Sequence, residues 1–326
     1  MKWFKQAITT IFFFSLFVLH RPKDITLAFL GDVMIGRGIA DSNPNLTNAL
    51  STITGPLLNA TLGLANLESP ITNLPLLPIN NQPGIVESQS GSKNAIYPYD
   101  LRSTPERLDY LQDSGIDIVS IANNHINDCG SGGVADTINS LQNAHLEPIG
   151  PDPRPVFRNY DGLLLAFFAF NDIQRPLDIE QSIAVVKSTK QLNSIVIVSI
   201  HWGQEYSPEP SERQRMLAQS FANAGASIIW GHHPHVLQPV EWVQGINQDQ
   251  PTLIFYSLGN TLFDQYMLPD AQRGVMLLVK LGSGGIEVIK AVPFIINVRE
   301  GRIFPADPEA TELIFNRLGP LIHSNK

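Results

Sequence analysis

Cysteine is nearly absent from this chain of 326 residues, in which Cys129 is the single thiol. One thiol excludes an intramolecular disulfide and a thiolate-rich zinc site, so any metal must be held by His, Asp, Glu or Asn. Basic residues are also in deficit, because 22 Lys and Arg stand against 30 Asp and Glu and give a formal net charge of −8. No basic patch stands out, and we therefore expect no nucleic-acid partner.

Hydrophobic runs long enough to span a bilayer are missing as well. The apolar run from Ala7 to Leu19 follows Lys2 and Lys5, and it is shorter than the roughly 20 residues of a transmembrane helix. Its length matches the core of a signal peptide, but no small-residue cleavage site follows. We predict export, with residues 1–23 as an uncleaved anchor on the outer face of the cytoplasmic membrane. A cleaved signal and a buried N-terminal helix are the alternatives.

Two common catalytic motifs are missing too. The chain has no Gly-x-Ser-x-Gly elbow of the kind that presents a catalytic serine. The segment GDVMIGRG at residues 31–38 lacks the Lys-Ser/Thr ending of a phosphate-binding loop. The sequence therefore argues against a serine hydrolase and against a P-loop site.

Apolar segments of strand length alternate with helical patterns along the chain. The predicted strands are residues 25–30, 62–67, 117–122, 163–170, 194–200, 227–230 and 252–257, with a closing hairpin at 275–281 and 285–291. This alternation predicts an α/β fold with a largely parallel or mixed sheet covered on both faces. We assign residues 24–300 to one domain and residues 301–326 to a C-terminal extension.

Candidate metal ligands follow six of these strands, where open α/β sheets bind their ligands. They are Asp32, Glu68, Asn124 with His125, His201, His233 with His235, and Asn260. A carboxylate can bridge two cations, and two ions about 3.5–4 Å apart can clamp an attacking water and a leaving oxygen. The pattern predicts a site for one or two divalent ions, and this ligand set suits manganese, iron or zinc.

The densest cluster is SIIWGHHPHVLQPVE at residues 227–241. In an extended backbone the side chains of His233 and His235 would point the same way, and His232 would point away. Pro234 would stiffen the turn between them. We expect His233 and His235 to face one metal site.

Each candidate ligand also has a simpler structural interpretation. Asp32 could cap the segment that follows it, and Asn124 could be a turn residue. Glu68 could be a surface acid, and His201 could be a packed side chain. The gathering of so many such residues at strand ends favours the metal site.

Three other residues have roles that the sequence leaves open. Asp128 could ligate a metal, orient His125 or cap a turn. Arg37 lies near the first strand end, and Arg102 follows a long proline-rich loop, residues 70–100, that could be a lid or a substrate-binding flap. Each guanidinium suits a substrate carboxylate or phosphate, and a solvated surface position is the alternative.

Seven segments occur in the order GDVMIGR (31–37), ANLESPIT (65–72), LRSTPE (101–106), SIANNHINDCG (120–130), HWGQEY (201–206), GHHPHVLQPVE (231–241) and YSLGNTLFDQ (256–265). Together they resemble the poly-γ-glutamate capsule-synthesis family of the CapA type. The resemblance extends from about Thr26 to Gln265, and it depends on the whole ordered set because each motif alone is weak.

The resemblance implies the fold of calcineurin-like metallophosphoesterases, a four-layer αββα sandwich of mixed β-sheets around a metal centre. It implies that His125 is the general acid near the leaving group and that the metal ligands are Asp32, Glu68, Asn124, His201, His233 and His235. The implied role is in making, releasing or anchoring an anionic poly-γ-glutamate-like polymer outside the membrane, alongside other polymer-synthesis proteins.

Two positions depart from the phosphoesterase pattern. Met34 stands where those enzymes have a histidine two residues after the first aspartate, and Glu68 stands where they have a bridging aspartate. The first change removes one ligand. We therefore expect either one tightly bound metal or two of unequal affinity.

Three functions fit these observations. The first is a metal-dependent hydrolase or transferase that acts on an anionic polymer or on a small anionic substrate. The second, which Met34 favours, is a non-catalytic polymer-binding or assembly component at the membrane. The third is a metallophosphoesterase that acts on small phosphoesters. We prefer the first because the motif set fits the capsule family best.

Overall fold

A computed structural model describes residues 24–76, 100–282 and 284–323. The predicted anchor, residues 1–23, and most of the predicted proline-rich loop lie outside these ranges. Within these ranges no helix has the length and apolar character needed to cross a membrane.

The elements of the first half, in chain order, are β1 (Ile25–Val33), α1 (Arg37–Ser42), α2 (Ser51–Leu58), β2 (Leu62–Leu67), α3 (Leu108–Asp113), β3 (Ile118–Ser120), α4 (Gly130–Asn143), β4 (Glu147–Ile149), β5 (Val156–Tyr160) and β6 (Leu163–Asn171). Those of the second half are α5 (Ile179–Lys190), β7 (Ile195–His201), α6 (Glu212–Asn223), β8 (Ile228–His232), β9 (Val240–Val243), β10 (Thr252–Phe255), β11 (Asn260–Leu262), β12 (Arg273–Gly282), β13 (Gly285–Asn297), β14 (Arg302–Pro305), α7 (Pro308–Leu318) and α8 (Pro320–His323).

The strands form two mixed sheets. The first sheet has the order β14-β13-β12-β1-β2-β3-β4, and β11 also pairs with β1. Strands β1 to β4 are parallel, and β12 to β14 are antiparallel to their neighbours. The second sheet has the order β5-β6-β7-β8-β10-β9. Its four central strands are parallel, and an antiparallel strand lies at each edge.

Three hydrophobic clusters separate four layers. On β1, Leu27 and Phe29 enter the cluster between the sheets, whereas Ala28 and Leu30 enter the cluster under helices α1 to α4. This division follows from the period-2 alternation of side chains along a strand. A third cluster lies between the second sheet and helices α5 and α6. The expected four-layer αββα sandwich of mixed β-sheets is therefore confirmed.

The expected strands are present, and the structure adds others that the sequence pattern did not indicate. Strands β4, β5, β9, β11 and β14 have at most five residues, too few to show a clear alternation. The residues assigned to a C-terminal extension contribute to the same fold where they are described. Strand β14 pairs with β13, and Ile314 and Leu318 of α7 lie in the cluster between the sheets.

Candidate metal centre

The carboxyl ends of strands from both sheets meet at one place and carry most of the predicted ligands there. Asp32 lies near the end of β1, Glu68 directly follows β2, and His201 is the last residue of β7. His233 and His235 follow β8. All five are buried, with exposed fractions of 6% or less. The sandwich thus brings residues more than 200 positions apart in sequence into one buried polar cluster.

The end of β1 is shaped by its close approach to β11. A Cβ atom on Gly31 would lie 1.9 Å from the carbonyl oxygen of Gly259, so only glycine fits there. This approach allows β11 to pair with β1 in a register that places Asn260 opposite Asp32. Asn260, one of the candidate ligands named from the sequence, therefore lies in the site, where it contacts His235.

The backbone of the His-Pro-His segment differs from the extended geometry we expected. His233 has φ of 94° and His235 has φ of 57°, so both lie in the left-handed region. Such values are strained for side chains other than glycine, and they concentrate at functional sites. Both imidazoles do reach the cluster. They are brought there by a tight bend of the backbone, not by the side-chain alternation of a strand.

The expectation that His232 points away from the site is wrong. Its Nδ1 atom lies 3.4 Å from Oδ1 of Asp32, and its ring packs edge-on against Trp230 at a centroid distance of 4.3 Å. The indole N–H of Trp230 donates to the carbonyl of Leu30 at 2.8 Å, which ties the two sheets together beneath the site. His232 therefore packs beside Asp32 on the core side of the cluster.

Glu68 lies at the centre of the cluster. Its Oε1 atom is 3.8 Å from Nε2 of each of His125, His201 and His235. These separations are too long for hydrogen bonds. Two ligands of one ion, at bond lengths of about 2.0–2.2 Å, lie roughly 3–3.5 Å apart, close to what is seen here. Glu68 Oε2 is buried and has no hydrogen-bond partner among the described residues, as expected of an oxygen that faces a cation.

Two groups of residues share Glu68 and could each hold a metal ion. We define the first position by Asp32, Glu68 and His235, and the second position by Glu68, His201 and His233; the candidate ligand atoms within each group lie within 4.8 Å of one another. This arrangement fits the bridging carboxylate that the sequence suggested.

The second position is further defined by Asn124. His201 Nε2 lies 2.7 Å from Oδ1 of Asn124 and 3.1 Å from Nδ1 of His233. One ring nitrogen carries at most one proton, so Nε2 of His201 cannot hydrogen-bond to Asn124, His233 and Glu68 at the same time. A cation between these atoms would satisfy all of them, so this donor set fits a divalent ion of the manganese, iron or zinc type.

The orientation of His235 in the first position is set by Asn260. The side-chain NH₂ of Asn260 donates to Gln265 Oε1 and to the carbonyl of Ala271, both at 2.9 Å. Its Oδ1 must therefore accept the proton of His235 Nδ1, at 2.9 Å. The lone pair of Nε2 is then directed toward Glu68, as a metal ligand requires.

A chain of amide side chains holds Asp32 and extends to the His125 backbone. Asn66 donates to Asp32 Oδ1 at 2.8 Å, and Asn123 donates to Oδ1 of Asn66 at 3.4 Å and to the carbonyl of Leu67 at 2.8 Å. The backbone N–H of His125 donates to Asn123 at 3.1 Å. Asn66 and Asn123 were not predicted from the sequence, although they lie within the motifs ANLESPIT and SIANNHINDCG.

For Asp32, His201 and His233, the electrostatics of the cluster favour the protonation states that bind metal. Burial lowers the pKa of His201 well below its usual value, and burial together with His235 lowers the pKa of His233 to about 3. Both imidazoles are thus neutral. Burial would raise the pKa of Asp32, but hydrogen bonds and charges from His232 and His235 outweigh it and hold that pKa well below normal. The carboxylate and the two neutral imidazoles are ready ligands.

His125 and Asp128 form a pair at the edge of the cluster. His125 Nδ1 lies 2.9 Å from Oδ2 of Asp128, while Nε2 faces Glu68 at 3.8 Å. The side chain of His125 is 16% exposed, whereas that of Glu68 is 1% exposed. Of the three roles left open for Asp128, this geometry matches the orientation of His125.

The two predicted substrate-binding arginines lie beside acidic partners. Arg37 makes a two-pronged contact with the carboxylate of Asp264, with Nε at 2.7 Å from Oδ2. Arg102 makes a similar contact with Asp100 and also donates to the carbonyl of Leu74 at 2.6 Å. The role of both arginines in substrate binding stays a prediction.

Met34 does not replace the missing histidine ligand. It is fully buried in the cluster between the first sheet and its helices. Its sulfur accepts a hydrogen bond from the backbone N–H of Gly36 at 3.2 Å. A thioether is also a poor ligand for manganese, which prefers oxygen ligands. The first position therefore has three protein ligands among the described residues.

One residue near the histidines was not singled out by the sequence. A carboxylate oxygen of Glu205 lies within 4.8 Å of a ring nitrogen of His233 and of one of His235. Glu205 is exposed and belongs to the turn that follows β7. The HWGQEY motif contained it, but a lone acid in a polar loop gives no signal of its own.

Comparison with known proteins shows the family to which the chain belongs. The model of the family described as "Bacterial capsule synthesis protein PGA_cap" matches residues 26–265. The chain belongs to this family. It is 30% identical over 288 residues to the PGA biosynthesis protein CapA of Bacillus subtilis, a match that covers 81% of this chain and 70% of that protein.

A second relative from the same family has a similar level of identity. The chain is 30% identical over 311 residues to the capsule biosynthesis protein CapA of Bacillus anthracis, covering 87% of this chain and 70% of that protein. Among solved structures, a novel phosphatase from Mycoplasma pneumoniae is similar with a TM-score of 0.46 and 13% identity, covering 89% of this chain and 97% of that one. The family expected from the ordered motifs is thus confirmed.

Proposed function

We propose that this chain is a metal-dependent hydrolase or transferase that acts on an anionic polymer of the poly-γ-glutamate type. The observation that carries the proposal is the position of Glu68, whose buried Oε1 lies 3.8 Å from three histidine nitrogens. Its second oxygen has no hydrogen-bond partner among the described residues. A carboxylate in such surroundings is suited to bridging two cations.

Residues of both positions would hold manganese, iron or zinc. A divalent ion bound there would supply Lewis-acid polarisation of the scissile group and a nucleophile at neutral pH. The chain's own contribution is a set of ligands fixed by second contacts, as Asn66 fixes Asp32 and Asn260 fixes His235. The buried cluster also keeps bulk water away from these groups.

In this proposal His125 protonates the leaving atom. With Asp128 accepting the proton of Nδ1, the imidazole is held with Nε2 directed at the cluster. Its partly exposed side chain can regain a proton from solvent after each turnover. General acid catalysis of this kind is typically worth about 100- to 10,000-fold in rate.

The proposed substrate class rests on the names of the relatives and on two arginine side chains. The Bacillus relatives are named for PGA and capsule biosynthesis. A carboxylate of such a polymer could compete with Asp264 for Arg37 and with Asp100 for Arg102. In this proposal residues 1–23 anchor the chain on the outer face of the cytoplasmic membrane, where it works with other polymer-synthesis proteins.

Incubation of the full chain, loaded with Mn²⁺, with poly-γ-glutamate tests the proposal. Size-exclusion chromatography is expected to show a change in polymer length, and poly-α-glutamate is the matched control for the linkage. His233→Ala should lose both metal and turnover. A metal-free His233→Ala protein that still processes the polymer would refute the proposal, and turnover of a chromogenic phosphodiester alone would favour a small-phosphoester substrate.

The second candidate is a polymer-binding component without turnover. Met34 favours it, because the first position lacks the ligand that a histidine there would supply. Normal polymer production by cells carrying an Asp32→Ala/His235→Ala double variant would support this candidate over the enzyme.

A further inference from the structure

The first position has fewer described protein ligands than the second. Asp32, Glu68 and His235 make up the first, whereas Asn124 joins the three residues of the second. A histidine in place of Met34 would give both positions the same number of ligands. The sulfur of Met34 is instead turned toward the backbone of Gly36. An ion at the first position would therefore have room for a further ligand.

Glu205 is placed to supply that ligand. It approaches the cluster from the solvent side, and its carboxylate lies within 4.8 Å of ring nitrogens of His233 and His235, one histidine from each position. The second position already has four ligands, as many as a divalent ion of this class commonly takes from a protein. We infer that Glu205 completes the first position, so that the chain holds two divalent ions despite Met34.

The turn that carries Glu205 is fastened to the His-Pro-His bend. The backbone N–H of Trp202 donates to the carbonyl of His232 at 3.1 Å, and that of Tyr206 donates to the carbonyl of Pro234 at 2.8 Å. These two bonds flank Glu205 in sequence. Gly203, with φ of 83°, provides the sharp turn between them. The backbone thus holds Glu205 above the two imidazoles.

The side chain of Tyr206 links Glu205 to the rest of the site. Its hydroxyl accepts a hydrogen bond from Gln265 at 3.0 Å, and burial together with the charge of the adjacent Glu205 raises its pKa. Gln265 in turn accepts from Asn260, the residue that orients His235. A metal ligand with such second contacts is held in place, and their loss typically weakens metal binding by about 10- to 100-fold.

The inference rests on the proposed metal centre, and metal binding tests it without any assay of activity. The metal-free full chain is titrated with Mn²⁺ by calorimetry, and electron paramagnetic resonance of the loaded protein reports magnetic coupling between neighbouring ions. The unaltered chain is expected to bind two ions of unequal affinity and to show a coupled spectrum.

The isosteric variant Glu205→Gln should retain the tighter ion with unchanged affinity. Its second ion should bind about 10- to 100-fold more weakly, and the coupled spectrum should be lost. Tyr206→Phe should produce a smaller loss in the same direction. Glu209→Gln removes an equal charge four residues away and is the matched control, since Glu209 belongs to none of the three groups that could hold a metal among the described residues.

Three outcomes would overturn the inference. They are two-ion binding by Glu205→Gln equal to that of the unaltered chain, an equal loss in Glu209→Gln, and a stoichiometry of one ion in the unaltered chain. Two bound ions without polymer turnover would count against the proposed function and leave this inference standing. Absence of any bound metal would count against both.

Discussion

Oδ1 of Asn260 lies 2.9 Å from Nδ1 of His235 and accepts its proton. Asn260 belongs to β11, a strand of three residues that pairs with β1 beside Asp32. Through this one contact, a short strand determines which nitrogen of His235 faces the metal centre.

Asn260→Ala is expected to weaken metal binding at the first position by about 10- to 100-fold, because His235 loses the acceptor that fixes its tautomer. Titration calorimetry with Mn²⁺ measures the loss. Asn159→Ala, which removes an amide from edge strand β5, is the control and should bind as the unaltered chain does. Equal affinities in the two variants would show that His235 needs no orientation from Asn260.

Asp128→Asn should reduce turnover without loss of metal. The change removes the carboxylate that holds His125 Nδ1 at 2.9 Å, while the metal ligands keep their own contacts. We expect a loss of about 100- to 10,000-fold, the range that general acid catalysis supplies. Turnover by the His125→Gln variant should fall by a similar factor. The metal content of both variants must also be measured by elemental analysis, since a parallel loss of metal would identify Asp128 as a metal ligand.

Met34 is predicted to matter for stability and to have no part in metal binding. Met34→Leu keeps the volume and should cost less than about 1.5 kcal/mol in unfolding free energy. Met34→Ala leaves a cavity and should cost about 2–5 kcal/mol. Urea denaturation measures both values, and metal content should equal that of the unaltered chain. Loss of one ion in Met34→Leu would identify the sulfur as a ligand after all.

Metal affinity is predicted to rise with pH. Without metal, burial raises the pKa of Glu68 to about 7. Burial lowers the pKa of His235, but Glu68 and Asp32 outweigh it and raise that pKa to about 9. Each group must lose its proton to bind metal, so protons compete below each pKa. The logarithm of the affinity should rise by about two per pH unit below pH 7 and by about one between pH 7 and 9. A flat profile over this range would contradict the assignment of both ligands.

Cys129 should behave as a packed side chain. It is 5% exposed, and burial raises the pKa of its thiol to about 11. The thiolate is the reactive form, so alkylation of the folded chain by iodoacetamide at pH 8 should be much slower than alkylation in urea. Cys129→Ala should retain full activity. Rapid alkylation accompanied by loss of turnover would instead indicate that Cys129 acts as a nucleophile.

Several parts of the site could be predicted from the sequence because they depend on local pattern. Apolar runs of strand length end at Asp32, Glu68 and His201, and the carboxyl ends of such strands meet at one edge of a sheet. The same runs predicted a mixed sheet with covering helices. The order of the motifs indicated the family, and the resemblance to that family implied the two-sheet sandwich. None of these inferences needed the geometry of a turn.

Other parts depended on contacts between segments far apart in the chain. The left-handed conformations of His233 and His235 come from packing around a bend, and the period of a strand suggested the wrong backbone for them. Glu205 is an ordinary exposed acid until the hydrogen bond between Tyr206 and Pro234 brings its turn over the histidines. Sequence pattern decided which residue types end each strand, whereas tertiary hydrogen bonds decided which atoms face one another. A metal centre depends on the positions of those atoms, and strand periodicity carries no information about them.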